Sequence, residues 1–301
     1  MSFKDKVKHI YETKYKWLEL IPLTLLILAF LQIGMQAYTT GDFLHRGVSL
    51  KGGSTVTINT ADIDVLGLES FLKEKFPQDD ISVRTLTTAG KVSGLAIDSD
   101  IQDKDLIESF VQAIGEKIDL KTTSYGVEVM GAALGASFFK QAGIALLISF
   151  LLMGIVVILY FRIWIPSLAV IVCAFSDIVV TMAVFNLTGM KLSTAGVAAF
   201  LMLIGYSIDT DILLTSRVLH RKEGTVMERI YSSISTGMTM TTTTICVVFV
   251  AFIFVQSETI RQIMLIVLIG MFADMVMTWI QNVYILRWYL ERKERHHSKQ
   301  N

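Results

Sequence analysis

The sequence predicts a bundle of six membrane-spanning helices with a small α+β domain set outside the membrane after the first of them. Three observations predict it. Hydrophobic residues make up 52% of the 301 residues and only three residues are proline, a composition too apolar for an ordinary soluble chain of this length. Six apolar runs each reach the roughly 20 residues needed to cross the hydrocarbon of a bilayer. The long interval between the first two runs, residues 39–139, is polar and alternates between strand and helix periodicities.

The runs lie near residues 19–38, 140–160, 164–187, 193–214, 237–255 and 262–286. The first reads as an uncleaved anchor rather than a secretion signal, because Met35 and Ala37 make a poor small-x-small cleavage site. The chain therefore divides into residues 1–38, an amphipathic helix plus the first span; 39–139, the external domain; 140–289, the other five spans; and 290–301, a basic tail. In the first of these, Phe3, Val7, Ile10, Lys14 and Trp17 fall at helical spacing among lysines, the pattern of a helix lying on lipid. Lys and Arg fix the orientation. They crowd the amino end (Lys4, Lys6, Lys8, Lys14, Lys16), the link after span four (Arg217, Arg221, Lys222, Arg229) and the tail (Arg287, Arg292, Lys293, Arg295, Lys299), with Arg162 after span two. Only Lys191 and Arg261 occupy the short loops of the other side. Both termini are thus expected in the cytoplasm of a cell-membrane protein, with 39–139 outside.

Within the external segment, Val56 and Ile58 alternate with Thr55 and Thr57, a strand pattern. "DIDVLGLESFLKEKF" repeats apolar residues at helical spacing. "DISVRTLTT" and "SGLAIDSD" read as strands, "DKDLIESFVQAIGEKI" as a helix with Asp103 as a candidate N-cap, and "TTSYGVEVM" as a last strand. The order β-α-β-β-α-β is the ferredoxin-like split arrangement.

Charged residues inside the spans cost roughly 2.5–3.5 kcal/mol each on insertion scales and mark functional positions. They are Asp177 in span three, Asp209 and Asp211 in span four, and Asp274 in span six, with Arg217 just beyond the end of span four. Asp274, Thr278, Gln281 and Asn282 fall at i, i+4, i+7 and i+8, so span six turns a polar stripe toward the bundle. Asp209 and Asp211 stand about 200° apart on a helix, so one partner cannot be shared between them. Asp209, deeper in the run, is the first choice for a polar path, with Asp211 as the alternative. Arg217 must find a partner on another helix or reach the cytoplasmic surface. An apolar interior disfavours an ionised carboxyl group, so buried aspartates can take up and release protons near neutrality. The "GAALGASFF" stretch ahead of span two and "GMTMTTTT" in span five suit close helix packing.

Other chemistry is missing. Net charge is zero, which argues against nucleic acid as a partner. No H-E-x-x-H is present, and His9, His45, His220, His296 and His297 form no metal-ligand pattern. "TTAGKVSG" contains Gly-Lys, but Val92 stands where a phosphate loop needs Ser or Thr, and Thr85, two residues ahead of the stretch, where it needs Gly. Asp177 and Asp209 on separate spans suggest an intramembrane aspartyl protease, but the G-x-G-D signature is absent. Cys173 and Cys246 sit in apolar runs and read as packing residues. The expectation is a protein that is not an enzyme and needs no cofactor or metal.

Four motifs carry a family resemblance. "GVSLKGGST" resembles the G-[IV]-D-F-x-G-G-[ST] segment of the SecF protein-export membrane proteins, with Gly52 and Gly53 as its Gly pair. "VMGAALGASFF" resembles their entry to the second span, and "AFSDIVVT" their H-D element in the third. "IGYSIDTDILLTSRV" resembles I-G-Y-S-I-N-D-T-V-V-V-x-D-R-[IV], through Gly205, Tyr206, Ser207 and Arg217. The match spans residues 41–289. Ser49, Ser176, Ser216 and Leu219 depart from the pattern, and Asp209, Thr210 and Asp211 stand where the family has Asn-Asp-Thr. These shifts point to an archaeal-type member.

The resemblance implies a bundle like that of the resistance-nodulation-division (RND) superfamily. It implies SecD as partner, the SecYEG channel as the machine assisted, preprotein as cargo and the proton-motive force as energy source. It carries Asp177 and Arg217 over as ion-coupling residues. Asp209 and Asp211 join them by position and Asp274, Gln281 and Asn282 as a secondary polar stripe. The rival expectations are half of a proton-coupled RND-like transporter for small or lipidic molecules, and an inert scaffold of the translocon.

Overall fold

The computed structural model describes residues 8–9, 11–60, 64–88, 91–120, 123–221, 223–255 and 257–297. Phe3, Val7 and Ile10 of the expected surface helix lie outside these. Among the described residues, six helical stretches are long and apolar enough to cross a membrane. The first is formed by α1 (Tyr15–Leu18) and α2 (Leu20–Thr40). Then come α6 (Ala132–Phe161), α7 (Trp164–Leu187), α8 (Thr194–His220) and α9 (Val226–Phe254). The last is α10 (Glu258–Val276), which runs through a π-helical segment, Met277–Asn282, into α11 (Val283–His297).

Several helices outrun the apolar stretches that announced them, because hydropathy marks only the part that meets lipid. The start of α9 is set by polar capping: Thr225 accepts the Glu228 N–H at 3.2 Å, and Glu228 accepts the Thr225 N–H at 2.8 Å. Thr239, Thr243 and Thr244 turn their hydroxyls back onto carbonyls of their own helix. The 30 residues of α6 make a rod about 45 Å long, against a hydrocarbon layer of about 30 Å. Helices α7, α8 and α10 supply the interior, where Val170, Ala174, Ile178, Phe200, Ile204 and Met271 share one apolar cluster. Leu147, Leu151, Val156 and Leu159 on α6 and Val247 and Val250 on α9 stay exposed, as faces that meet lipid require.

Between α2 and α6 lies the α+β domain. Its strands are β1 (Gly53–Ile58), β2 (Ser82–Thr88), β3 (Lys91–Ser99) and β4 (Tyr125–Met130). They form one sheet in the order β2-β3-β1-β4, each neighbour antiparallel. Helices α4 (Val65–Lys75) and α5 (Lys104–Gly115) supply Leu68, Leu72, Phe110 and Ile114, which share a core with Val56, Ile58, Leu95 and Ile97 of the sheet. The connectivity is the ferredoxin-like β-α-β-β-α-β expected from the sequence. Asp103 caps α5, accepting the N–H groups of Asp105 and Leu106 at 2.9 and 3.3 Å. Residues Val48–Lys51 form a helical turn, α3, ahead of β1.

The α+β domain is stitched to the bundle. His45 and Gly47 exchange backbone hydrogen bonds with Leu192 in the α7–α8 loop, and Ser49 accepts the Thr194 N–H at 3.2 Å. Gln262 on α10 accepts from the Ser193 hydroxyl at 2.5 Å and donates to the Lys191 carbonyl at 2.6 Å. Asp98 on β3, 2% exposed, takes Thr55 at 2.8 Å, Arg84 at 3.1 Å and the Lys191 ammonium at 3.6 Å. The Asp98→Ala variant leaves this cationic pocket without its anion, so it should cost about 3 kcal/mol. A denaturant titration of the full chain checks this, with earlier proteolysis of the α+β domain as the accompanying sign.

Candidate functional site

Three helices each bring an i, i+4 pair of polar residues to the centre of the bundle: Cys173 and Asp177 from α7, Ser207 and Asp211 from α8, Asp274 and Thr278 from the α10 helix. That spacing puts both members of a pair on one helix face. Asp177 and Asp211 are fully buried and Asp274 is 4% exposed. The Ser207 hydroxyl donates to Asp177 Oδ2 at 2.5 Å. Asn282 donates its amide to Asp211 Oδ1 at 2.7 Å. Thr278 Oγ1 stands 3.0 Å from both Asp211 Oδ1 and Asp274 Oδ1, with the Cys173 thiol 3.9 Å away.

Hydrogen-bond accounting gives this cluster its chemistry. A threonine hydroxyl has one hydrogen to donate, so Thr278 can serve only one of its two carboxyl neighbours. The other contact is a hydrogen bond only when that carboxyl group itself carries a proton and donates it to Thr278. Asp177 Oδ1 and Asp211 Oδ2 are buried with no hydrogen-bond partner among the described residues. No described cation forms an ion pair with any of the three aspartates. Three bare negative charges in such a place are untenable, and protons must be shared among them.

The π segment positions the sixth-span contribution. Thr278 and Asn282 belong to it, and π turns of this kind interrupt α-helices mostly at functional sites. Gln281 is buried in the same segment at 7% exposure, so the polar stripe of span six does face inward.

Span four is where the structure reorders the sequence reading. Asp209 and Asp211 do point apart, but it is Asp211 that enters the cluster. Asp209 is exposed on the bundle surface. It lines a cavity of about 160 Å³ between α8, α9 and α10, together with Tyr206, Thr241 and Thr244, and the same cavity reaches Ser207 and Asp274. What buries a side chain here is the helix face it occupies rather than its depth in the apolar run. Arg217 stands apart from the carboxyl groups. Its guanidinium donates to the Ser232 carbonyl at 2.9 Å and the Thr236 hydroxyl at 2.8 Å on α9, so it has a partner on another helix. Of the family-motif residues, Ser207 bonds Asp177, Tyr206 is exposed, and Gly205 has open space beside it. Cys173 entered the sequence reading only as packing; its place four residues before Asp177 was the available signal. Among the described residues, no group of three His, Cys, Asp or Glu has the arrangement of a metal site.

Six spans among the described residues, with a β-α-β-β-α-β domain inserted after the first and acidic residues buried among the others, define a multi-pass membrane protein. A family model described as protein export membrane protein SecD/SecF, C-terminal, matches residues 110–292. The chain belongs to the SecF family. It is 35% identical to the SecF of Pyrococcus furiosus, with 97% of this chain and 96% of that one aligned. It is 38% identical to the SecF of Methanolacinia petrolearia (90% and 93%) and 33% to that of Methanocaldococcus jannaschii (92% and 96%). The fold is also that of SecDF from Thermus thermophilus, a translocon-associated membrane protein, at a TM-score of 0.74 and 19% identity. That alignment covers 91% of this chain and 38% of the longer one.

Proposed function

We propose that this chain is a SecF-type accessory subunit of the Sec translocase. It acts with SecD to promote preprotein passage through the SecYEG channel, drawing on the proton-motive force, and it performs no covalent chemistry of its own. Both termini lie in the cytoplasm and residues 39–139 face outside, as the Lys and Arg distribution favours. The observation that carries the reading is the Asp177–Asp211–Asp274 cluster, shared by three spans and bridged at Thr278. A proton moving onto or off it changes which hydrogen bonds hold α7, α8 and α10 together. Asp209 and the cavity it lines supply a polar approach to Asp274. Because α10 also carries Gln262, which grips the loop beneath the α+β domain, a shift of α10 is felt outside the membrane, where that domain meets emerging preprotein. Arg217 ties α8 to α9 and holds the inner end of the moving part.

The test is reconstitution. The chain is placed in vesicles with its SecD-type partner and the channel, and preprotein uptake is followed with and without an imposed proton gradient. Uptake stimulated by the gradient only when the chain is present is the expected result. Equal stimulation in its absence, or recovery of no SecD-like or channel subunit with the purified chain, overturns the reading. Stimulation by a sodium gradient instead assigns the coupling ion differently. Normal uptake that ignores every gradient favours an inert scaffold.

A further inference from the structure

The cluster is held from the far side by a segment near the chain's amino end. The Tyr11 hydroxyl donates to the carbonyl oxygen of Trp279 at 2.6 Å, and Trp279 lies inside the π segment that carries Thr278 and Asn282. Around this bond the first described residues are strapped to the last helix. Arg287 donates to the carbonyls of Tyr11 at 3.1 Å and Glu12 at 3.0 Å, and its guanidinium sits 3.8 Å above the Tyr15 ring. Tyr15 bonds the Glu291 carboxylate at 2.7 Å, and Tyr231 on α9 donates to Glu12 at 3.1 Å. The π segment is also pinned by its own ring. A Cβ on Gly237 of α9 would stand 2.3 Å from Trp279 Cζ2, so the indole occupies the space where α9 lacks a side chain.

We infer that Tyr11 is a positioning residue for the carboxyl cluster: its hydroxyl holds the π segment in register, and that register keeps Thr278 and Asn282 on Asp211. The physical reason is the extra residue a π turn accommodates. If the segment relaxes to α geometry, residues beyond the turn slip by one position, which rotates them by about 100°. Asn282, fully buried against Asp211, would then point elsewhere. A π turn leaves a carbonyl without its regular helical partner, and a donor from outside the helix offsets that loss. The groups facing Asp211 are Asp177, Asp274, Cys173, Thr278 and Asn282; those facing Tyr11 are Tyr231, Arg287, Glu12 and the Trp279 carbonyl. Among the described residues, no hydrogen bond joins the second set directly to the first. The inference deepens the proton-coupled reading and rests on it for its functional meaning, whereas the register it describes can be tested separately.

The test uses the full chain in lipid nanodiscs. Infrared difference spectra between acidic and alkaline buffer report protonated carboxyl groups, and the band lost in Asp211→Asn is that of Asp211. The Asn282 amide donates to Oδ1, so a protonated Asp211 has its carbonyl on that atom. Tyr11→Phe, which deletes one hydroxyl, is expected to move the Asp211 band to higher wavenumber, as a carbonyl released from a donor does. Asn282→Leu should give the same displacement, the double variant no more, and Tyr15→Phe none. Amide hydrogen exchange over residues 277–283 is measured alongside and should quicken in Tyr11→Phe only. An Asp211 band and exchange both unchanged in Tyr11→Phe overturn the inference. If wild type shows no Asp211 band at all, the proton-coupled reading fails by itself. The strap then stands if exchange quickens in Tyr11→Phe and falls if it does not.

Discussion

Asp211→Asn is expected to abolish the gradient-driven part of preprotein uptake while leaving the chain folded. Asparagine keeps the oxygen that Thr278 and Asn282 bond, and the position it changes, Oδ2, has no partner to lose. What disappears is the ability to take and give up a proton. One proton crossing the membrane supplies about 2.3 kcal/mol per 100 mV, equivalent to a factor of about 50 in a rate. The stimulation produced by such a gradient should fall toward none, within that ceiling. Asp177→Asn should behave alike, because its carboxyl group is the acceptor for Ser207. Asp209→Asn, altering an exposed side chain at the cavity, should retain most of the stimulation. Reconstituted uptake with and without an imposed gradient measures all three. A reversed order, with Asp209 essential and Asp211 dispensable, would remove the buried cluster from the mechanism.

Gly53→Ala is expected to destabilise the chain by about 3–5 kcal/mol, combining backbone strain with overpacking. Gly53 has φ +127°, and a Cβ there would stand 2.2 Å from the Ser99 carbonyl oxygen. Its neighbour Gly52 has φ 92° and ψ 164°, and its Cβ would meet Ala132 Cα at 2.5 Å. Backbone atoms cannot step aside as a flexible side chain can, so the clash falls on the junction of β1, β3 and α6. Thermal unfolding in detergent reads the loss, and the α+β domain should become protease-sensitive at temperatures where wild type resists. A Gly53→Ala protein as stable as wild type would mean that the junction yields more easily than its packing implies.

How far each of these features could be read in advance depended on what kind of signal it left. The six spans and the β-α-β-β-α-β order are written in hydrophobic period, which burial dictates directly. Helix ends were not, since α6 begins in a small-residue turn packed on the Gly52 backbone and α9 in a capped polar turn, and hydropathy registers neither. The stripe from Asp274 to Asn282 was legible at ordinary helical spacing, yet nothing in "MTWIQN" announces a π turn; contacts from Tyr11 and the Gly237 slot impose it. In span four, angular separation foretold that Asp209 and Asp211 part company, while depth in the run carried no signal of which one is buried. Gly135 illustrates the same limit. Its small size suggested contact between spans, whereas its missing Cβ makes way for the backbone of Gly52 at 2.7 Å.

The length of α6 has a mechanical meaning. Some 15 Å of its roughly 45 Å rises beyond the hydrocarbon, and β4 feeds into it through the single residue Gly131. A rod embedded in the bilayer and joined so tightly to a sheet would pass any tilt of the spans on to that sheet, as a lever does. A lean of a few degrees among the buried spans, too small to disturb their packing, becomes a sideways sweep of the edge strand above.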